Sequence, residues 1–163
     1  MLLTALHETK LGKISLIAHE DILIAAGFHG FEPLFSRLDI QDKAKPLSKV
    51  KNIPIISDLV LDYFEGTLDA INGIKVRQCG AKFSQNIWKV MRKIPAGKTL
   101  SYAELAKRAG SASAVRAAGT ACGANLIAPV IPCHRILKSN GEIGNYGYGV
   151  RLKELLLKHE GAL

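Results

Sequence analysis

Residues 101–124, SYAELAKRAGSASAVRAAGTACGA, predict two short helices joined by a tight turn. Ser101 and Glu104 have the spacing of a capping box, in which each side chain binds the other residue's backbone amide at the start of a helix. Gly110 is expected to end that first helix. Two short helices at a glycine-containing turn form a helix-turn-helix, a motif that commonly reads DNA. This stretch therefore favours a DNA-binding domain.

The second helix of this stretch, residues 114–124, has an unusual composition. Ser111 or Ser113 is expected to cap it. One face groups a single long cation with small residues (Arg116, Gly119, Thr120, Gly123), and another carries alanines (Ala114, Ala117, Ala118, Ala121). Each internal glycine costs a helix about 1 kcal/mol relative to alanine. Close approach to a nucleic acid would offset that cost, whereas tight helix–helix packing explains the alanine face.

The first half of the chain, residues 1–78, predicts a small α+β domain. Three apolar runs separated by turns indicate a meander of strands. An amphipathic stripe after Pro54 predicts a helix that Gly66 ends. The Lys-rich residues 41–52 are expected to form a solvated loop.

The second half, residues 79–163, is predicted to be mostly helical. Its last helix, residues 150–159, is expected to bury Leu152, Leu155 and Leu156. Glu160 follows near the same stripe, and its carboxylate is either exposed at the helix end or turned inward to orient a histidine. The predicted fold class of the whole chain is therefore α+β.

Composition limits the classes of function. The chain has 163 residues, and none of its apolar runs approaches the length of about 20 residues that a membrane helix needs. Its N-terminus lacks the features of a signal peptide. Three cysteines without CxxC spacing argue against a disulfide framework and against zinc, and they indicate a reducing cytoplasm. A net charge of +8 suits a polyanionic partner, or equally a solvated Lys-rich surface.

The candidate reactive residues lie in Ile131-Pro132-Cys133-His134-Arg135. A thiolate is the nucleophilic form of cysteine, and neighbouring cations or hydrogen-bond donors favour it. The alternative is a buried structural cysteine that acts as a small hydrophobe. Downstream, residues 140–149 contain four glycines and two tyrosines, which predict a loop with exposed backbone amides.

Together these elements resemble the O6-alkylguanine-DNA alkyltransferases, the methylated-DNA–protein-cysteine methyltransferases. The matching segments are residues 83–88, 94–99, Ser101-Tyr102, 115–119, Asn125, 132–135, 144–146 and 153–161. The resemblance implies a ribonuclease-H-like α/β domain over residues 1–78. It implies a mostly helical, winged-helix or helix-turn-helix-like domain over residues 79–163.

The resemblance also implies DNA repair by direct reversal. Cys133 would irreversibly accept the alkyl group of O6-alkylguanine, and of O4-alkylthymine, once per molecule. His134 would act through a water as the base, and Glu160 would orient it. Tyr102 would donate a hydrogen bond to the leaving guanine, and Asn125 would brace the active-site turn.

The implied partner is double-stranded DNA containing O6-alkylguanine, bound in the minor groove with the nucleotide flipped out. Arg116 would be the inserted finger, and the other expected DNA contacts are Tyr102, Ala117, Gly119, Thr120, Gly123 and Arg135. Arg135 is also expected to hold the turn in place. The implied base pocket comprises Ile136, Gly144, Asn145, Tyr146 and Gly147. No cofactor, metal or membrane is expected for this monomer of the cytoplasm, or of the nucleoid if it is prokaryotic.

Two alternatives compete with repair. One is a non-catalytic, alkyltransferase-like protein that senses lesions, but such proteins replace the acceptor cysteine and Cys133 is intact. The other is a cysteine hydrolase with an incidental helix-turn-helix, for which no oxyanion motif is evident. Within the resemblance, Leu126 and Ala112 stand where prolines are frequent. Gly147-Tyr148 alters the loop over the base pocket and thereby the tolerance for bulky adducts such as benzyl.

Overall fold

The computed structural model describes all residues, 1–163. Two compact units share the chain. The first contains Met1–Cys79 together with Leu126–Val130, and the second contains Gly80–Asn125 and Ile131–Leu163. The return of residues 126–130 to the first unit was not predicted from the sequence.

A five-stranded sheet forms the centre of the first unit. Its strands are β1 (Leu2–Thr9), β2 (Gly12–His19), β3 (Ile22–Gly27), β4 (Leu47–Lys49) and β5 (Lys75–Val76). The first three form the predicted antiparallel meander, while β4 and β5 extend it in parallel at the two edges, in the order β4-β1-β2-β3-β5. Residues 14–18 of the central strand are all buried, which is why that run, apart from Ser15, is apolar without alternation.

Three helices accompany this sheet: α1 (Phe31–Ser36), α2 (Ile40–Lys43) and α3 (Ile56–Phe64). The amphipathic stripe after Pro54 forms α3, which buries Ile56, Val60, Tyr63 and Phe64 and lies against β1. Gly66 follows its end with a φ of 113°, a conformation that suits glycine at a helix terminus.

The prediction of a solvated loop at residues 41–52 is wrong, because that range contains β4 and all but the first residue of α2. Asp39 caps α2 by accepting a hydrogen bond from the Gln41 amide at 2.7 Å. Asp42 is buried and accepts two hydrogen bonds from Arg77, at 3.0 and 3.1 Å, and one from Lys45 at 2.8 Å. The Lys-rich composition of this segment gave no sign of the cluster around Asp42, because its main partner, Arg77, lies far along the chain.

The second unit contains four helices: α4 (Lys82–Arg92), α5 (Tyr102–Arg108), α6 (Val115–Ala124) and α7 (Val150–His159). The short strands β6 (Leu100–Ser101) and β7 (Ile136–Leu137) pair in parallel. The indole of Trp88 in α4 donates a hydrogen bond to the Ala121 carbonyl at 3.0 Å and so joins α4 to α6. The predicted α+β class, with a sheet domain followed by a helical domain, is confirmed. No helix combines the length and the apolar character that crossing a membrane requires.

The helix-turn-helix stretch forms as predicted, with one correction. Ser101 and Glu104 make the reciprocal capping box, at 3.1 and 3.2 Å, and Gly110 follows α5 with a φ of 106°. The predicted serine cap of α6 is wrong. Ala114 occupies the cap position without a side-chain hydrogen bond, and the hydroxyls of Ser111 and Ser113 lie 3.4 Å from each other.

The buried stripe of α7 also differs from the prediction. Lys153, Leu156 and Leu157 are buried, whereas Leu152 and Leu155 are only half-buried. The stripe is therefore rotated by about one residue, and it places a lysine in the protein interior.

Candidate active site

Cys133 begins a short 3-10 turn, Cys133–Arg135, that leads directly into β7. Its side chain is partly exposed. The amide of Asn125, the residue that follows α6, donates to the Ile131 carbonyl at 2.8 Å and lies 3.3 Å from Cys133 Sγ. The predicted bracing of the turn by Asn125 is consistent with these contacts.

The imidazole of His134 is fixed from one side. His134 has no exposed surface, and its Nε2 lies 2.9 Å from Glu160 Oε2 at the end of α7. Arg135 donates to the same carboxylate from Nε at 2.9 Å and from Nη2 at 2.7 Å. A further bond from Arg135 Nη1 to the Ile94 carbonyl joins the network to the second residue after α4. Of the two positions left open for Glu160, the structure shows the inward one.

Burial and hydrogen bonding set the protonation states of this network. Burial lowers the pKa of His134 against the opposing effect of Glu160, so the imidazole is neutral near pH 7. Burial would raise the pKa of Glu160, but the hydrogen bonds from His134 and Arg135 hold it well below its usual range. The charged carboxylate can only accept a hydrogen bond, so Nε2 carries the proton and donates it to Glu160. This leaves Nδ1, which is buried and without a protein partner, as the atom able to accept a proton.

Lys153 and Tyr102 also interact electrostatically with the Cys133 thiol. Burial raises the pKa of Cys133, while the Asn125 hydrogen bond and the charge of Lys153 lower it. Burial, together with the nearby thiols of Cys122 and Cys133, raises the pKa of Tyr102 to about 12. The phenol of Tyr102 therefore stays protonated and can donate a hydrogen bond.

The predicted loop after β7 reaches the same place. The ring of Tyr146 lies edge-on to His134, with 6.5 Å between ring centroids, and edge-on to Tyr148 at 5.7 Å. Gly144 is buried with a φ of 75°, and a Cβ there would lie 3.8 Å from the Tyr102 ring. Asn145 and Gly147 are exposed.

The chain is similar to known proteins. A model of the family domain described as "6-O-methylguanine DNA methyltransferase, DNA binding domain" matches residues 82–162. A methylated-DNA–protein-cysteine methyltransferase of Shigella flexneri is 36% identical over 159 residues, which cover 95% of this chain and 93% of the relative. The chain belongs to the methylated-DNA–protein-cysteine methyltransferase family.

Two further similarities agree with this family assignment. A relative of the same name from Salmonella typhimurium is 43% identical over 108 residues, covering 66% of this chain and only 63% of the relative's length. The crystal structure of the Mycobacterium tuberculosis OGT in complex with DNA has a TM-score of 0.82 at 29% identity, covering 98% of this chain and 93% of that one. The family predicted from the sequence is thereby confirmed.

In this family member, the expectation that Arg135 contacts DNA needs correction. Its side chain is 1% exposed, and three of its nitrogens donate to Glu160 and Ile94. Arg135 therefore holds the turn, which was the other role considered for it. Ile136 is also fully buried, and its carbonyl already accepts a hydrogen bond from Lys153 at 2.7 Å.

The α6 face predicted to meet DNA is open. Arg116, Ala117, Thr120 and Gly123 are exposed, and a Cβ on Gly119 or Gly123 would meet nothing within 4 Å. The Thr120 hydroxyl is turned back onto the Arg116 carbonyl at 3.1 Å. The exposed face of α6 therefore carries small side chains, with the long cation of Arg116 at its N-terminal end.

Two residues near the site were missed from the sequence, Lys153 and Cys122. Lys153, Leu156, Leu157 and Glu160 follow the spacing i, i+3, i+4, i+7, so an inward Glu160 would have indicated an inward Lys153. Cys122 lies within α6, and burial raises its pKa to about 12. No group of three or more His, Cys, Asp or Glu side chains is placed to hold a metal ion.

Proposed function

We propose that this protein repairs alkylated DNA by moving the alkyl group of O6-alkylguanine, and of O4-alkylthymine, onto Cys133. The observation that carries the proposal is the state of His134 beside the partly exposed thiol. Its Nε2–H is fixed by a charged carboxylate, and its Nδ1 is a buried acceptor without a protein partner. Membership of the methyltransferase family supports the same chemistry.

The proposed transfer uses these groups in turn. The Cys133 proton passes through a water molecule to His134 Nδ1, and the imidazolium is stabilised by Glu160. The thiolate attacks the alkyl carbon, a sulfur–carbon bond forms, and the carbon–O6 bond breaks with its electron pair on the guanine. Tyr102 donates a hydrogen bond that stabilises this anion. A thioether has no route back to the thiol here, so each molecule acts once.

The DNA-binding part of the proposal concerns α6. The target atom is inaccessible within a duplex, so the nucleotide must be flipped out. The open face around Gly119 and Gly123 lets the helix backbone approach the minor groove, and Arg116 fills the vacated stack. The protein is proposed to act as a monomer, with Asn145, Tyr146 and Gly147 lining the base pocket.

An intact-mass measurement tests the proposal. The protein is incubated with duplex DNA containing O6-methylguanine, and peptide mapping locates any added mass. We expect a gain of one methyl group on Cys133, no gain in Cys133→Ser, and an unchanged gain in the control Cys122→Ser. Tight binding of the lesion without any mass gain would refute alkyl transfer and favour the lesion-sensing alternative.

A further inference from the structure

Lys153 is a charged group buried without a countercharge. Its side chain in α7 has no exposed surface. The Nζ donates to two backbone carbonyls, Ile136 at 2.7 Å and Asn145 at 3.1 Å, and it makes no ion pair with a carboxylate. Burying an ammonium is costly unless another charge compensates for it.

The position of this ammonium is informative. Ile136 is the first residue after the Cys133–Arg135 turn, and Asn145 belongs to the loop that lines the proposed base pocket. A Cβ on Gly144 would lie 3.6 Å from Lys153 Nζ and 3.8 Å from the ring of Tyr102. The ammonium thus ties the acceptor turn to the pocket loop, and Gly144 of that loop approaches both the ammonium and the ring of Tyr102.

The two hydrogen bonds to backbone carbonyls do not by themselves explain why a charged side chain is buried at this position. A neutral donor could satisfy both carbonyls at a lower cost of desolvation. The titratable groups that face the ammonium are Cys133, Cys122 and His134. His134 is neutral and the pKa of Cys122 is about 12, so Cys133 is the group that becomes negative during the proposed reaction.

The other nearby cation does not serve the thiol. Arg135 is adjacent to Cys133 in sequence, but both oxygens of Glu160 accept from its guanidinium, so its charge is locally balanced. Lys153 is the buried cation left without such a partner.

We propose that Lys153 is a positioning residue whose ammonium supplies the countercharge for the Cys133 thiolate while its hydrogen bonds tie the acceptor turn to the pocket loop. This proposal rests on the proposed transfer to Cys133. It is consistent with the lowering effect of Lys153 on the pKa of the Cys133 thiol.

The first test measures the ionisation of Cys133 without DNA. In a Cys79→Ser/Cys122→Ser background, the rate of carboxamidomethylation by iodoacetamide is followed against pH for three proteins. These are the parent, Lys153→Gln, which keeps a donor but loses the charge, and Lys153→Met, which loses both. The control is Lys158→Gln, an exposed lysine of the same helix.

We expect the midpoint of the pH profile to rise by about one unit or more in both Lys153 variants, with a similar plateau at high pH. Each unit lowers the rate of alkyl transfer at neutral pH about tenfold, because the thiolate fraction falls tenfold. The Lys158→Gln profile should match the parent. An unshifted midpoint in folded Lys153→Gln, with wild-type alkyl transfer intact, would overturn this role and leave the repair proposal standing. Absence of transfer in the wild type would overturn the repair proposal itself.

A reciprocal measurement needs no lysine variant. If the ammonium stabilises the thiolate, ionisation of Cys133 must raise the pKa of Lys153. The Lys153 side-chain carbon is titrated by nuclear magnetic resonance in the wild type and in Cys133→Ser. A lower pKa of Lys153 in Cys133→Ser is expected, and equal pKa values would refute the coupling.

Discussion

Replacing Glu160 with glutamine tests the network that supports the active site. The substitution leaves Arg135, which is 1% exposed, facing a neutral amide in place of a carboxylate. The carboxylate accepts three hydrogen bonds, at 2.9, 2.7 and 2.9 Å, and an amide has only one oxygen to accept them. Removing one partner of a buried charge pair costs about 3–5 kcal/mol. We expect Glu160→Gln to lower the free energy of unfolding by that amount.

Urea unfolding followed by tryptophan fluorescence measures this loss. The single tryptophan, Trp88, is buried in the second unit, so its fluorescence reports on the unit that contains Glu160. The matched control is Glu154→Gln, a half-buried glutamate of α7, which should change the free energy by less than about 0.5 kcal/mol. A loss below about 1 kcal/mol for Glu160→Gln would refute the view that this charge supports the site.

A double-mutant cycle with Arg135→Met separates the pair from its surroundings. If Glu160 and Arg135 balance each other, removing both should cost less than the sum of the two single losses, by about 1–3 kcal/mol. Additive losses would mean that the two residues act independently.

The same measurement has a predicted pH dependence. The pKa of Glu160 is lowered on folding, so its stabilisation is fully present above the unfolded value of about 4.3 and is lost as pH falls through the folded value. The pKa of His134 is also lowered, so the unfolded chain takes up a proton below about pH 6.5 that the folded protein resists. The wild type should lose stability on acidification, and the gap to Glu160→Gln should narrow below about pH 4. A gap that widens in acid would contradict this assignment.

Three further substitutions test the proposed DNA-binding face and the proposed leaving-group donor. Arg116→Ala should slow repair of duplex DNA more than reaction with free O6-benzylguanine. The control Arg108→Ala, at an exposed position of α5, should slow neither reaction selectively. Equal losses of rate on both substrates would exclude a flipping role for Arg116. Gly119→Ala should raise the free energy of unfolding by about 0.5–1 kcal/mol in urea, because its Cβ meets no atom, yet weaken duplex binding in a titration. Unchanged affinity would show that the helix does not approach DNA closely there. Tyr102→Phe should slow single-turnover transfer about a hundredfold with little loss of DNA affinity, and an unchanged rate would remove Tyr102 from the mechanism.

Local patterns made much of the fold predictable. The capping box at Ser101 and the amphipathic stripe of α3 depend on residues within a few positions of one another, and both formed as expected. The prediction of a solvated loop at residues 41–52 was wrong because Arg77, the partner of Asp42, lies 35 residues away in the sequence. The sequence placed the apolar residues 126–130 in the second domain for the same reason. In the structure they bond to Ala26 of β3, through the Leu126 carbonyl and the Ala128 amide. Contacts between distant segments leave no periodic signal in the sequence.

The balance of charges around Cys133 also could not be predicted from the sequence alone. In the sequence, Arg135 is the cation next to Cys133 and was the natural candidate for stabilising its thiolate. In the structure, Arg135 is neutralised by Glu160, and the neutral His134 takes its orientation from the same carboxylate. The cation left to act on the thiol is then Lys153 of α7, a helix that only the fold brings to the turn. Adjacency in sequence pointed to the proposed nucleophile and its proposed base, whereas the source of the proposed countercharge depends on which charges are already balanced.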